Sequence, residues 1–232
     1  SSVGLGLPVF NSCGMKDSEI AIIGGGLAGL ALAVDLAMRG RTVLLIEKGN
    51  YPRHKVCGEF ISMESHRYLL QICPELARLN LPLIKNFKLT SSGSSNHRIA
   101  LDLGGFGISR FLLENILYHR AIECGVNVLT DTKVVSVINT EFDRPIIKTS
   151  KGEFAVKIVC NSTGRKSNFE VQSGERKDRK VNYVGVKYHV RIRREADVIE
   201  IHNFPGGYCG ISDIEDGKAC LCYIVNSKKL QS

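Results

Sequence analysis

The chain has 232 residues, with 31 Lys and Arg against 23 Asp and Glu for a formal charge of +8, and 44% of it is hydrophobic. That balance excludes a disordered acidic tail, a collagen-like repeat and a low-complexity polymer, and it supplies enough apolar side chain for one large or two small cores. Gly, at 23 residues, exceeds the usual share of roughly 7%, which directs attention to places where backbone must come close to something.

In chain order, residues 1–14 carry no periodic pattern and stand before Met15, which is the expected native start, the preceding residues being an extension. A β-α-β pattern follows: an apolar strand over 19–23, a glycine turn, a helix over 27–39 ended by Gly40, and a second apolar strand over 42–46. The apolar run Ile20 to Val34 contains Gly24, Gly25 and Gly26 and is flanked by Asp17, Glu19 and Asp35. It is shorter than the roughly 18 to 20 residues a membrane span needs. With neither a span nor a secretion signal, a cytoplasmic location is expected.

Extended, turn-rich chain continues through 51–59, and a helical pattern covers 63–73. Residues 86–103 alternate about the polar turn SSGSSNH and predict a hairpin. Ser109 is placed to cap a long amphipathic helix over 110–124, closed by Gly125. Strands are expected over 127–130, 133–141, 146–150 and 154–160, the last leading into NSTGRKS. From 181 onward the chain is strand-like, with turns at 205–207 and 215–217. The charged run SGERKDRK marks a boundary near residue 175.

The eight cysteines are too scattered for a secreted disulfide framework, and no CxxC pair offers metal spacing. Cys220 and Cys222 fall on one face of a strand and read as buried small hydrophobes. The late positive charge, at Arg176, Lys177, Arg179, Lys180, Arg191, Arg193, Arg194, Lys228 and Lys229, lacks interleaved stacking aromatics. It reads as a solvated face rather than a nucleic-acid footprint. A weaker reading is a positive field for an anionic cofactor or substrate, or for peripheral contact with an anionic membrane.

One segment carries chemistry. Gly24-Gly25-Gly26-Leu27-Ala28-Gly29 satisfies G-x-G-x-x-G between an apolar strand and a helix, and Glu47 ends the next strand 18 residues after Gly29. Gly24 permits the tight turn, Gly26 lets backbone approach a diphosphate, and Gly29 allows close helix-strand packing. The free N–H groups of the helix start attract the anion, and the carboxylate accepts from an adenosine ribose. An acid at 47 favours an unphosphorylated ribose, hence FAD or NAD at this position.

The stretch IAIIGGGLAGLALAVDLAMRGRTVLLIEKGNYPRHKVCGE resembles the start of the FAD-dependent oxidoreductases of the aromatic-hydroxylase, geranylgeranyl-reductase and flavin-dependent halogenase superfamily. The resemblance implies an α/β fold: a Rossmann-like FAD-binding domain (βαβ, mixed sheet) with an incomplete β-rich substrate domain. The first would occupy 15–85 and 104–175, and the second 86–103 and 176–232. Lys48, Arg53 and Lys55 would sit near the cofactor, and Cys57-Gly58 would lie close to the flavin ring. Arg110 follows Ser109 in a segment resembling the family's Arg-containing helix start; a cation there opposes the helix dipole, which a nearby anion would explain. Gly164 would approach the flavin nucleotide, although Thr163 stands where many members have Asp.

The same resemblance makes Phe204, Pro205 and Tyr208 the wall of an apolar substrate pocket, and leaves His54 and Cys57 as the acid/base-capable residues near the ring. It implies NAD(P)H as electron donor and a small apolar or aromatic molecule as substrate, by a monooxygenase or reductase reaction. The chain has no Trp and no Gly-Asp pair, so truncation before the family's final segment is expected, with weak FAD binding or poor folding of the isolated piece. The alternatives are a catalytically inactive nucleotide-binding fragment and an NAD-binding dehydrogenase.

Overall fold

A computed structural model describes residues 18–92, 96–139, 144–164 and 183–229. The expected extension at 1–14, the tip of the 86–103 hairpin, the segment Arg165 to Ser167 and the basic run 176–180 lie outside the described residues.

The elements are, in order, β1 (Ile20–Ile23), α1 (Leu27–Met38), β2 (Val43–Ile46), β3 (Phe60–Ser62), α2 (His66–Ile72), β4 (Leu83–Thr90) and β5 (Asn96–Gly107). They continue with α3 (Arg110–Glu123), β6 (Asn127–Leu129), β7 (Val134–Ile138), β8 (Ile146–Thr149), β9 (Gly152–Ala155) and β10 (Ile158–Asn161). The last four are β11 (Tyr183–Val190), β12 (Val198–Phe204), β13 (Gly207–Ile214) and β14 (Lys218–Asn226).

Among the described residues three sheets result. The first is parallel, in the order β10-β1-β2-β6. Its central strands read IAII and VLLI without polar interruption because both faces are covered, as a parallel sheet requires. Ile20, Ile22, Val43 and Leu45 pack against α1, α2 and α3. Ala21, Ile23, Leu44 and Ile46 pack on the other side against Ile147, Phe154 and Val156 of the three-stranded antiparallel sheet β7-β8-β9 and its exit.

The third sheet has seven strands, ordered β11-β14-β13-β12-β4-β5-β3, antiparallel except where β12 runs parallel to β4. Its β13–β14 turn reaches the start of α3, where Glu215 accepts the Ser109 N–H, and its edge strand β11 reaches Glu59 through Lys187 and His189.

Ser109 caps α3 as expected: its hydroxyl accepts from the Leu112 N–H at 3.0 Å. Two expectations need correction. The single strand expected over 154–160 is two strands in different sheets; the break falls at buried Val156, which packs into the face below β1 and β2 while Lys157 pairs back to Glu19. Arg194 is not part of a solvated face: its side chain is 6% exposed and sits on Glu200 and Asp213, at 3.1 and 2.8 Å. Cys220 and Cys222 are buried. Among the described residues no helix is long and apolar enough to cross a membrane.

Candidate dinucleotide site

The glycine turn is shaped by packing that no side chain would survive. Gly24 has φ +101°, and a Cβ on it would lie 2.7 Å from the Ser162 carbonyl oxygen. A Cβ on Gly29 would lie 1.9 Å from the Gly24 carbonyl oxygen, so the first turn of α1 rests directly on the strand end. Ser162, at the end of β10, secures the turn with a hydroxyl 2.7 Å from the same carbonyl. Gly26 differs: a Cβ there would meet only the Lys55 ammonium at 3.6 Å and an Arg110 guanidinium nitrogen at 3.9 Å. It is also the N-cap of α1 and offers no capping side chain, so the first N–H groups of the helix face the same space.

Beside this turn lies a crevice of about 470 Å³ lined by Gly24, Gly26, Glu47, Lys48, Arg53 and Lys55 with residues of the 132–134 and 162–163 segments. Glu47 is 5% exposed at the end of β2. Its carboxylate accepts the Gly25 N–H at 2.7 Å and the Gly49 N–H at 2.9 Å, and Arg53 lies 2.5 Å away. Burial alone would raise its pKa; the Arg53 guanidinium and the two amides outweigh that and hold it below the ordinary carboxylate value.

The loop over 51–59 is extended without belonging to a sheet, and its side chains alternate. Tyr51, Arg53, Lys55, Cys57 and Glu59 turn inward, while Pro52, His54, Val56 and Gly58 are exposed. Arg53 is consumed by its neighbours: it donates to the Gly25 carbonyl at 2.8 Å, pairs with Glu47, reaches Glu114 at 3.2 Å and lies 4.8 Å over the Tyr51 ring. Lys55 and Arg110 are the cations that approach Gly26. Arg110 pairs with Glu114, yet its buried Nε has no hydrogen-bond partner among the described residues. A guanidinium nitrogen, an ammonium and an uncapped helix start converging on one glycine, with a carboxylate one strand over, are groups of the kind that bind an adenosine diphosphate.

The other expected residues are dispersed. Leu27 and Ala28 are in the first turn of α1. Gly164 has φ +77° at the end of the described segment, and a Cβ on it would meet nothing within 4 Å. Thr163 donates through both its N–H and its hydroxyl to Asn161 Oδ1, a local turn. In the β12–β13 hairpin Phe204 lies opposite Gly207 and Tyr208 opposite Asn203, which puts the two aromatic side chains on opposite faces, 38% and 39% exposed, with Pro205 in the turn; they line no part of the Glu47 crevice.

His54 also turns away from that crevice. Its ring stacks on Phe111 at 4.7 Å and meets His189 edge-on at 5.3 Å, in a second crevice of about 420 Å³ that also contains Arg191 and Lys218. Partial burial, then the charges of Lys187 and His189, push its pKa down. The backbone carbonyl of Cys57 accepts from the Cys220 thiol at 3.3 Å.

A cluster not read from the sequence centres on Glu59. This residue is 1% exposed with φ +56°, uncommon for a residue with a long side chain. Its carboxylate accepts the Arg110 backbone N–H at 2.7 Å and lies 2.5 Å from the Lys187 ammonium and 2.6 Å from His189 Nε2. Burial opposes ionisation, but Lys187 and the Arg110 amide overcome it and its pKa is lowered. Glu59, His189 and Cys220 place a carboxylate, an imidazole and a thiol within 4.8 Å of one another. The Lys187 ammonium already neutralises the carboxylate, and burial beside Glu59 raises the Cys220 pKa strongly, so this donor set is that of an internal ion pair rather than of a metal centre. The positive φ and the partners 51 to 130 residues away left no local sequence signal.

The profile of the FAD dependent oxidoreductase family matches residues 19–58, the segment from β1 through the loop that carries Arg53 and Lys55. The myxobacterial chondrochloren halogenase CndH, a variant of the FAD-dependent halogenases, superposes with a TM-score of 0.76 at 19% identity over 94% of this chain and 55% of its own. The fold is that of the FAD-dependent halogenases. A flavoprotein/dehydrogenase from Cytophaga hutchinsonii gives a TM-score of 0.71 at 16% identity over 92% of this chain and 57% of its own. A variant of the halogenase PltM, solved in complex with FAD, gives 0.74 at 15% identity over 92% and 52%. In sequence, an uncharacterized protein of Methanosarcina barkeri is 26% identical over 160 residues, 65% of this chain and 38% of that protein. The chain thus spans little more than half the length of these halogenase-fold structures.

Proposed function

We propose that this chain forms the nucleotide-binding part of a flavin-dependent oxidoreductase, holding FAD across the β1–α1 turn and acting on a small apolar or aromatic molecule with NAD(P)H as electron donor. The observation that carries this reading is the convergence of the Lys55 ammonium, a guanidinium nitrogen of Arg110 and the uncapped start of α1 on Gly26, beside buried Glu47. Bound FAD supplies two-electron redox chemistry that protein side chains lack. Glu47 accepts from the ribose, the α1 amides and Lys55 with Arg110 neutralise the diphosphate, and Cys57-Gly58 brings backbone beside the ring. Phe204 and Pro205 offer an apolar surface for substrate at the β12–β13 turn, with Tyr208 on the other face of the hairpin, in a monooxygenase- or reductase-type reaction. The free thiols of the described cysteines suit the reducing cytoplasm.

Titrating the full-length protein that carries this chain with FAD, and following quenching of flavin fluorescence, tests the reading. Saturable one-to-one binding, displaced by ADP, is expected. Tight binding of NAD with no binding of FAD would overturn it in favour of a dehydrogenase.

A further inference from the structure

We propose that Glu114 is a positioning residue for the phosphate-facing cations: its carboxylate aims Arg110 at the glycine turn and ties that arginine to the ribose acid through Arg53. The inference rests on the reading of the crevice as a dinucleotide site and adds to it a residue that makes no contact with the ligand.

Glu114 is the fifth residue of α3, and its side chain is fully buried. A carboxylate in that position is stable only if paired, since burying an ion costs several kcal/mol. The pairing divides its two oxygens. Oε2 takes the Arg53 Nε at 3.2 Å, and Oε1 takes an Arg110 Nη one helical turn back. Arg53 is thereby pinned with its remaining nitrogens on Glu47 and on the Gly25 carbonyl.

Arg110 is left unfinished. One Nη is fixed by Glu114 and lies 3.9 Å from the point a Gly26 Cβ would occupy, while its buried Nε has no partner among the described residues. The result is a chain of alternating charge, Glu47, Arg53, Glu114 and Arg110, that runs from the ribose end of the crevice to the glycine turn.

Lys55 gives independent support. Burial lowers its pKa, as do the Arg53 and Arg110 charges; Glu114 is the largest opposing charge, with Glu47 also helping. One carboxylate therefore orients a guanidinium and helps keep the neighbouring ammonium protonated.

A pure field argument predicts the opposite consequence of removing Glu114. Deleting a negative charge makes the crevice more positive, which should tighten an anion. If orientation governs, the anion is bound more weakly. The sign of the change decides between the two.

The test uses the full-length protein, with FAD, ADP and adenosine as probes. Glu114→Gln should weaken FAD and ADP about tenfold, or 1.4 kcal/mol, and leave adenosine unchanged. The loss should vanish when Arg110→Met is already present, because residues acting as a unit are not additive. In a pH series, ADP affinity should start to fall at a lower pH in Glu114→Gln than in the parent, since Lys55 loses its main supporting charge. Glu114→Asp, which keeps the charge but withdraws it by one methylene, should weaken ADP without moving that alkaline limb; it carries the test if Glu114→Gln fails to fold.

Tighter or unchanged ADP binding in both variants, an equal loss in the Arg110→Met background, or an unmoved alkaline limb in Glu114→Gln would overturn the assignment of Glu114 alone. Failure of the parent protein to bind either FAD or ADP would instead overturn the proposed function, and this assignment with it.

Discussion

Two buried glutamates divide the molecule's electrostatics, and their surroundings are alike in kind but opposite in access. Glu47 accepts two backbone N–H groups and an arginine at the mouth of an open crevice. Glu59 accepts one backbone N–H, a lysine and a histidine in the seam between α3 and the edge of the seven-stranded sheet. A carboxylate has about four acceptor positions. Each has three partners within the protein, but Glu47 also lines the crevice with Gly26 and Lys55, whereas Glu59 lines neither crevice. Burial with counter-ions on both sides does not by itself mark a ligand site; access does.

The comparison can be broken most severely at the seam. Glu59→Ala leaves the Lys187 ammonium, 5% exposed, without its carboxylate. Breaking a buried pair in this way should cost about 3 to 5 kcal/mol, read as a fall in the urea midpoint. A loss below about 1 kcal/mol would place Glu59 among ordinary surface ion pairs. Glu47→Gln should act on binding rather than on folding: FAD affinity should fall by roughly 10- to 100-fold, the range of a hydrogen bond to a charged group. If it lowers the urea midpoint as much as Glu59→Ala does while FAD affinity stays put, the two sites have been assigned the wrong way round.

The smallest and most diagnostic effect is on the acid limb. Both carboxylates have pKa values lowered from 4.5 in the folded protein. Their contribution to stability is fully present above the ordinary carboxylate range and is lost as pH falls through the depressed values. Stability measured between pH 6 and 2 should therefore decline more steeply in the parent than in Glu59→Gln. Saturating FAD should restore part of it, because a ligand bound beside charged Glu47 opposes its protonation.

How far the sequence discloses this arrangement depends on the distance between partners along the chain. The β1–α1 turn, Glu47 and the Ser109 cap follow from spacings of a few to about twenty residues, where glycine geometry and capping chemistry are nearly unambiguous. The 154–160 stretch reads as one strand because an apolar run does not reveal that Val156 leaves one sheet before Ile158 joins another. Glu114 gives no local signal either, since an acid on an amphipathic helix reads as a solvent-facing residue until Arg53, 61 positions earlier, is seen against it. The direction of the 51–59 side chains was equally hidden: adjacent His54 and Lys55 serve different crevices, and an extended loop fixes that alternation only through the walls on either side.

The opening of α3 has a consequence for anyone wishing to divide the protein. The Ser109 N–H donates to Glu215 at 2.7 Å, from the turn between β13 and β14, and the Arg110 N–H donates to Glu59, whose counter-ions are carried by β11. A minimal nucleotide-binding piece ended at Gly164 would keep the glycine turn and both crevice cations, but it would lose the Glu215 acceptor and leave Glu59 facing no positive partner. Such a piece would inherit a frayed helix at the position from which Arg110 is launched. The two halves are better treated as a single folding unit, to be expressed and evolved together.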